Sequence, residues 1–198
     1  EMCIRDRLYI MLALVLFFVI GCCGAVLLGR LSDIVDYLLY VDKKTGLPNR
    51  EKLNIYIGEM AGKVLPEAFT CFTLSLDNLS ELTKRFGYTV GDGVLKDFAG
   101  LVQLMGDTEG MRGYNGVGRF VVFFEECSSK KAAAMIRILD NQVEEYNSLN
   151  PEYPIRYTAA WATTEETDTY EIRELLRLSQ KKWKQMEKEK KDKTEEET

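Results

Sequence analysis

No histidine occurs anywhere in the 198 residues. That absence excludes the commonest general base, the commonest zinc ligand and any Ser-His or Cys-His nucleophile pair. Cysteine is sparse and unpatterned: Cys3, Cys22, Cys23, Cys71 and Cys127 form no C-x-x-C, so neither a zinc site nor a thioredoxin-type couple is indicated. Cys22 and Cys23 fall in an apolar run and Cys71 in an expected strand, positions that suit buried, inert thiols better than redox or lipidated ones. A basic stripe interleaved with aromatics is also missing. With a net charge of -5 and a pI of about 5.1, no nucleic-acid partner is expected.

What is present suits one globular domain with an appendage. Residues 8–29, LYIMLALVLFFVIGCCGAVLLG, carry no charge. A bilayer core needs about 20 such residues in a helix, so this run is expected to be a transmembrane helix rather than the shorter apolar core of a signal peptide. Arg5 and Arg7 precede it, and Arg30, Lys43, Lys44 and Arg50 follow. The bias points the C-terminal part inward, giving a single-pass protein of the inner membrane with its soluble part in the cytoplasm. Residues 1–7 form an N-terminal flank whose EMCIRDR resembles translated adapter sequence, so the native start is left open. Residues 30–41 continue as a helical linker: Leu31, Ile34, Val35, Leu38 and Leu39 make one apolar stripe. Such a stripe buries itself on a second chain, making a homodimer, or on the domain that follows.

Beyond the linker, Gly46 and Pro48 punctuate a turn leading into a helix at about 50–62. Ala68–Leu76 is expected to be a buried strand ending at Asp77, residues 79–86 a short helix broken by Gly87, and Gly91-Asp92-Gly93 the opening of another helix. Met111–Tyr114 and Arg119–Phe124 flank Asn115-Gly116-Val117-Gly118, which predicts a β-hairpin about an Asn-Gly turn. Ser128 caps a helix to about Ser148, Ile155–Trp161 forms a further strand, and Thr169 or Asp168 caps a last helix. Residues 181–198 are a charged C-terminal tail, expected to be a solvated helix end. Strands separated by helices, with one hairpin, fit a single sheet covered by helices.

Three segments in order resemble the GGDEF family of diguanylate cyclases: Asp42–Arg50 (DKKTGLPNR), Ser75–Asp92 (SLDNLSELTKRFGYTVGD) and Asn115–Phe124 (NGVGRFVVFF). The first is close to D-x-L-T-G-L-x-N-R, the second is similar to D-x-D-x-F-K-x-x-N-D-x-x-G-H-x-x-G-D, and the third lies where R-Y-G-G-D-E-F and its strand would fall. The resemblance covers 42–180 and implies an α+β fold, a palm-like, mixed but largely antiparallel sheet flanked by helices, in a cytoplasmic signalling module. Active members bring together two domains, each holding GTP, to make cyclic di-GMP with bound metal.

The resemblance also implies which positions once carried chemistry. Magnesium takes hard oxygen ligands, and phosphoryl transfer depends on such charge neutralisation. Here the first metal carboxylate of the family is Ser75 and the second is Gly118, while the signature Glu is Arg119, a change of two charge units that repels a cation. Arg119 is either a solvent-facing hairpin residue or a direct phosphate contact. Gly116 matches the first signature glycine; the second is Val117, whose branched side chain obstructs a close backbone approach. For guanine recognition, Asn is replaced by Thr83 and Asp92 is retained, although a carboxylate there also suits a helix N-terminus. Asp77 keeps the second Asp of the pair, and Leu79-Ser80 replace Phe-Lys. The inhibitory R-x-x-D is absent where it would fall, at Asp107–Gly110. The late A-D-x-x-M-Y-x-x-K stretch becomes Ser179–Glu187, so its phosphate lysine is displaced, with Lys184 or Lys188 as substitutes if the tail is not solvated.

The expectation is therefore a membrane-anchored, degenerate, inactive domain acting by protein interaction or dimerisation. No catalytic residue, metal or cofactor is expected, magnesium being required only if it were active. The alternative is a receptor for GTP or cyclic di-GMP acting through Asp92; a working cyclase is the least favoured reading.

Overall fold

The computed structural model describes residues 4–106 and 110–196. Within the N-terminal flank residues 1–3, and within the R-x-x-D position residues 107–109, lie outside the described residues, as do Glu197 and Thr198. Two compact units are present, Glu1–Leu39 and Tyr40–Thr198.

The first unit consists of helix α1 (Ile4–Tyr40), so the apolar run and the linker form one continuous helix. Within it, Tyr9–Tyr40 is long and apolar enough to cross a membrane. Side chains project all round a single helix, and Cys22 and Cys23 are accordingly exposed along α1 rather than buried; the stripe residues Leu31, Ile34, Val35 and Leu38 are exposed as well.

In the second unit, Asn49 caps α2 (Arg50–Met60) by accepting hydrogen bonds from the amides of Glu51 and Lys52. Strand β1 (Thr70–Leu76) is buried at every position. Next come α3 (Leu79–Phe86), α4 (Tyr88–Gln103), β2 (Gly110–Gly116), β3 (Arg119–Phe124), α5 (Ser129–Leu149), β4 (Tyr157–Thr163), α6 (Thr164–Thr167) and α7 (Ile172–Glu196). The four strands form one sheet in the order β2-β3-β1-β4.

Every neighbouring pair in that sheet is antiparallel, so the expected mixed component is absent among the described strands. The connections explain why. The α5 crossover makes β3 and β4 run the same way, but β1 is inserted between them, antiparallel to both. Likewise α3 and α4 make β1 and β2 run the same way, with β3 between them.

The central strand buries both faces, which is why its sequence is apolar without alternation. Phe72, Leu74 and Leu76 pack with Phe98, Phe120 and Leu139 in one core beneath α4 and α5. Cys71, Phe69 and Phe123 join Leu53, Ile172 and Leu175 in a second core beneath α2 and α7. Burial pushes the Cys71 thiol up to about 12, in keeping with an inert packing group.

Four boundaries differ from the sequence expectations. Helix α4 starts at Tyr88, not Gly91, because Gly87, at φ 89°, already ends α3 and redirects the chain. Gly91 serves close packing instead: a Cβ there would lie 2.3 Å from Thr83 Oγ1. Strand β4 starts at Tyr157, since side-chain amides take the preceding backbone. Asn147 Oδ1 accepts from Ile155 N at 2.7 Å, and Asn78 Oδ1 from Arg156 N at 3.1 Å.

The last helix is capped by neither Thr169 nor Asp168. Asp168 is in the left-handed conformation that ends α6, and the Glu171 carboxylate accepts from Glu174 N at 2.8 Å. Nor does the domain stop at 180. Helix α7 runs on, and Trp183, within the expected solvated tail, is 8% exposed. A charge run hides one inward face when its apolar residue is isolated among lysines.

Candidate functional site

The hairpin turn is two residues later than the sequence indicates. Asn115 and Gly116 belong to β2, a bulge falls between Tyr114 and Gly116, and Gly116 pairs with Arg119. The two turn residues are Val117 and Gly118, both at positive φ (51° and 72°). A two-residue hairpin needs this backbone to match strand twist, and it is a strained one for a β-branched residue. Gly118 N donates to Tyr114 Oη at 3.2 Å and Gly118 O accepts from Leu76 N at 2.8 Å, which locks the turn onto the end of β1.

That union forms one wall of a cleft of about 720 Å³, whose lining includes Ser75, Asp77, Leu79, Ser80, Val117 and Arg119. Cross-strand register places Ser75 opposite both Arg119 and Thr158, so the three share one face of the sheet. Helix α7 supplies the opposite wall with Trp183, Glu187 and Lys190. A smaller cavity of about 120 Å³ lies alongside, sharing Arg119 and Trp183 and adding Thr73, Asn115 and Lys184.

Inside the cleft, Asp77 is already engaged. Thr158 Oγ1 donates to Asp77 Oδ2 at 2.6 Å, and Lys190 Nζ stands 3.6 Å from the same carboxylate. Lys190 also donates to Thr158 Oγ1 at 2.8 Å and to Tyr157 O at 2.7 Å, which ties α7 to β4. Burial raises the Asp77 carboxyl above its ordinary value, opposed by the Thr158 hydrogen bond and by the Lys190 charge.

The family's guanine positions stand apart from this cleft's lining. Thr83 turns its hydroxyl back on its own helix, donating to Leu79 O at 2.8 Å. Asp92 Oδ1 accepts from Lys44 Nζ at 2.8 Å, and this partner raises the Lys44 ammonium above its ordinary value. Gly116 and Gly118 shape the hairpin without lining the cleft.

A sequence model described as "Diguanylate cyclase, GGDEF domain" matches residues 39–193. The chain belongs to the GGDEF family. Comparison with curated proteins finds no match. Among solved structures, this GGDEF domain is similar to a diguanylate cyclase/phosphodiesterase from Caldicellulosiruptor saccharolyticus, at 19% identity over 77% of this chain and 91% of that one, TM-score 0.59. It is also similar to the FimX GGDEF domain from Pseudomonas aeruginosa, at 18% identity over 72% and 90%, TM-score 0.58. The coiled coil and GGDEF domain of DgcB from Caulobacter crescentus, in complex with c-di-GMP, matches at 15% identity over 76% and 82%, TM-score 0.61. At these identities the likeness establishes the palm-like fold.

The donor set of this GGDEF domain does not fit the magnesium that the family uses. Ser75 offers a neutral hydroxyl, Gly118 no side chain, and Arg119 a cation, while Asp77 faces the Lys190 ammonium. Among the described residues no three His, Cys, Asp or Glu side chains converge as metal ligands.

Sequence reasoning missed Thr158, Lys190 and the pairing of Lys44 with Asp92. One signal was available: 183, 187 and 190 recur at helical spacing and so share one face.

Proposed function

We propose that this chain is a membrane-anchored, catalytically silent GGDEF domain that signals through protein contacts rather than by making cyclic di-GMP. One observation carries the reading. At the cleft where carboxylates would hold metal and triphosphate, the chain presents Ser75, Arg119 and a Lys190 ammonium beside its one retained aspartate. An arginine and a lysine raise the electrostatic cost of a divalent cation there, and phosphoryl transfer without one loses most of its charge stabilisation.

Anchoring by residues 8–29 is supported by the apolar span within α1, and the lysines and arginines after it favour a cytoplasmic domain at the inner membrane. The exposed stripe of residues 31–39 offers a seam for a parallel homodimer. Guanine-nucleotide reception is the weaker alternative, since Asp92 is held by Lys44 and the Thr83 hydroxyl is consumed within α3.

The test is incubation of the full chain, in neutral detergent, with Mg-GTP and mass-spectrometric detection of cyclic di-GMP. No product above a blank is expected; product formed in proportion to enzyme would overturn the proposal.

A further inference from the structure

We propose that the Lys190 ammonium is the resident cation of the larger cleft, held by three oxygens, and that it excludes divalent metal while latching the last turns of α7 onto the sheet. The inference rests on the silent-domain reading above and names the residue that maintains the silence.

The first observation is the oxygen set. Lys190 Nζ donates to Tyr157 O at 2.7 Å and to Thr158 Oγ1 at 2.8 Å, and it stands 3.6 Å from Asp77 Oδ2. A carbonyl, a hydroxyl and a carboxylate are hard oxygen donors of the kind that magnesium and calcium take. An ammonium carries three N–H groups and no acceptor, so it satisfies such oxygens by hydrogen bonding and charge. Thr158 Oγ1 in turn donates to Asp77 Oδ2 at 2.6 Å, which links helix, edge strand and the end of β1 in one polar chain.

The second observation is the charge around the cleft. Its lining holds two acids, Asp77 and Glu187, and two cations, Arg119 and Lys190. With all four ionised the formal charges cancel, and an incoming metal ion meets no net attraction. Without Lys190, two carboxylates face one guanidinium, beside two neutral oxygens that the ammonium has released. One or two carboxylates with further oxygens are what oxygen-seeking cations commonly use.

The third observation is where the lysine sits on the chain. Trp183, Glu187 and Lys190 recur at helical spacing and all line the cleft, so the ammonium reaches these oxygens only while this stretch of α7 lies against β4. Helix docking and metal entry therefore compete for the same atoms.

The experiment titrates the full chain, in neutral detergent, with terbium, an oxygen-seeking cation whose luminescence is excited through tryptophan; Trp183 lies in the cleft lining. In the unsubstituted chain, Asp77→Asn is expected to leave the titration unchanged. Lys190→Gln and Lys190→Met should each bind terbium at least about tenfold more tightly, and adding Asp77→Asn to either should abolish the gain. Lys188→Gln removes the same charge from α7 outside the cleft lining and should gain nothing. Hydrogen exchange of residues 187–196 should run about two- to fivefold faster in Lys190→Gln than in the unsubstituted chain. Asp77-dependent terbium binding by the unsubstituted chain, no gain in either Lys190 variant, an equal gain from Lys188→Gln, or unchanged exchange would each overturn the proposal. Such a result without cyclic di-GMP production removes only the role of Lys190, whereas product from Mg-GTP removes the silent-domain reading on which it rests.

Discussion

Lys44 Nζ donates to Asp92 Oδ1 at 2.8 Å, joining the turn before α2 to the first half of α4 across 48 residues of sequence. Lys44 stands where the family motif has leucine, and Asp92 is the one guanine-contacting type that the chain retains. A neutral position has become the partner of a retained carboxylate. Both side chains are about half exposed (53% and 41%), so the pair does little for stability, and its effect falls on the acceptor it occupies.

Asp92→Asn is therefore expected to shift the melting temperature by less than about 2 °C. It should leave a calorimetric GTP titration as flat as that of the unsubstituted chain. A wild-type binding curve that Asp92→Asn abolishes would restore the receptor reading.

Val117 occupies the first turn position of the hairpin at φ 51° and is 80% exposed. It bears left-handed strain without burial in return. Val117→Gly should stabilise the domain by about 1 kcal/mol, the low end of the cost of such a conformation, and Val117→Asn should move it in the same direction. Urea denaturation of the three proteins measures this; equal or lower stability in both variants would show that the turn is not strained.

The elements were largely legible because their signals are local. Ser128 accepts from Lys131 N at the start of α5, and Gly87 closes α3, both as their residue types imply. The hairpin was legible, but its turn residue was not: Asn115-Gly116 is the stronger turn dipeptide, yet the bulge moves the turn to Val117-Gly118. Within the site, Ser75, Asp77, Val117 and Arg119 were named in advance and line one cleft. Thr158 and Lys190 were not, because their roles depend on β4 pairing beside β1 and on α7 crossing the sheet. Those are tertiary relations that no local pattern encodes.

The Asp77 carboxyl is raised above its ordinary value of 3.8 by burial, against the pull of Thr158 and Lys190. The folded state then holds its proton more tightly than the unfolded chain does. Between 3.8 and the raised value, folding stability falls as pH rises. Asp77→Asn removes this contribution, so melting temperature against pH should fall less steeply for the variant across that window. A steeper fall in the variant would mean that Lys190 outweighs burial. Lys190→Ala, which deletes the opposing cation, should widen the window in the unsubstituted Asp77 background.

Trp183 separates a packed α7 from a solvated tail. Were residues 181–198 solvated, Trp183→Ala would change stability by no more than about 0.5 kcal/mol, as surface substitutions do. Buried at 8% exposure against the sheet, it should instead cost about 3 kcal/mol, the scale for truncating a large aromatic. Trp183→Phe separates packing from the indole N–H. Phenylalanine keeps most of the ring while deleting a shielded donor that has no partner among the described residues, so the volume lost is offset by a desolvation penalty removed. Its cost should therefore be well below that of alanine, within about 1 kcal/mol of the unsubstituted chain. Equilibrium unfolding in urea measures both. Near-zero cost for Trp183→Ala would return the helix end to solvent, and equal costs for Phe and Ala would show that the indole nitrogen is satisfied in solution.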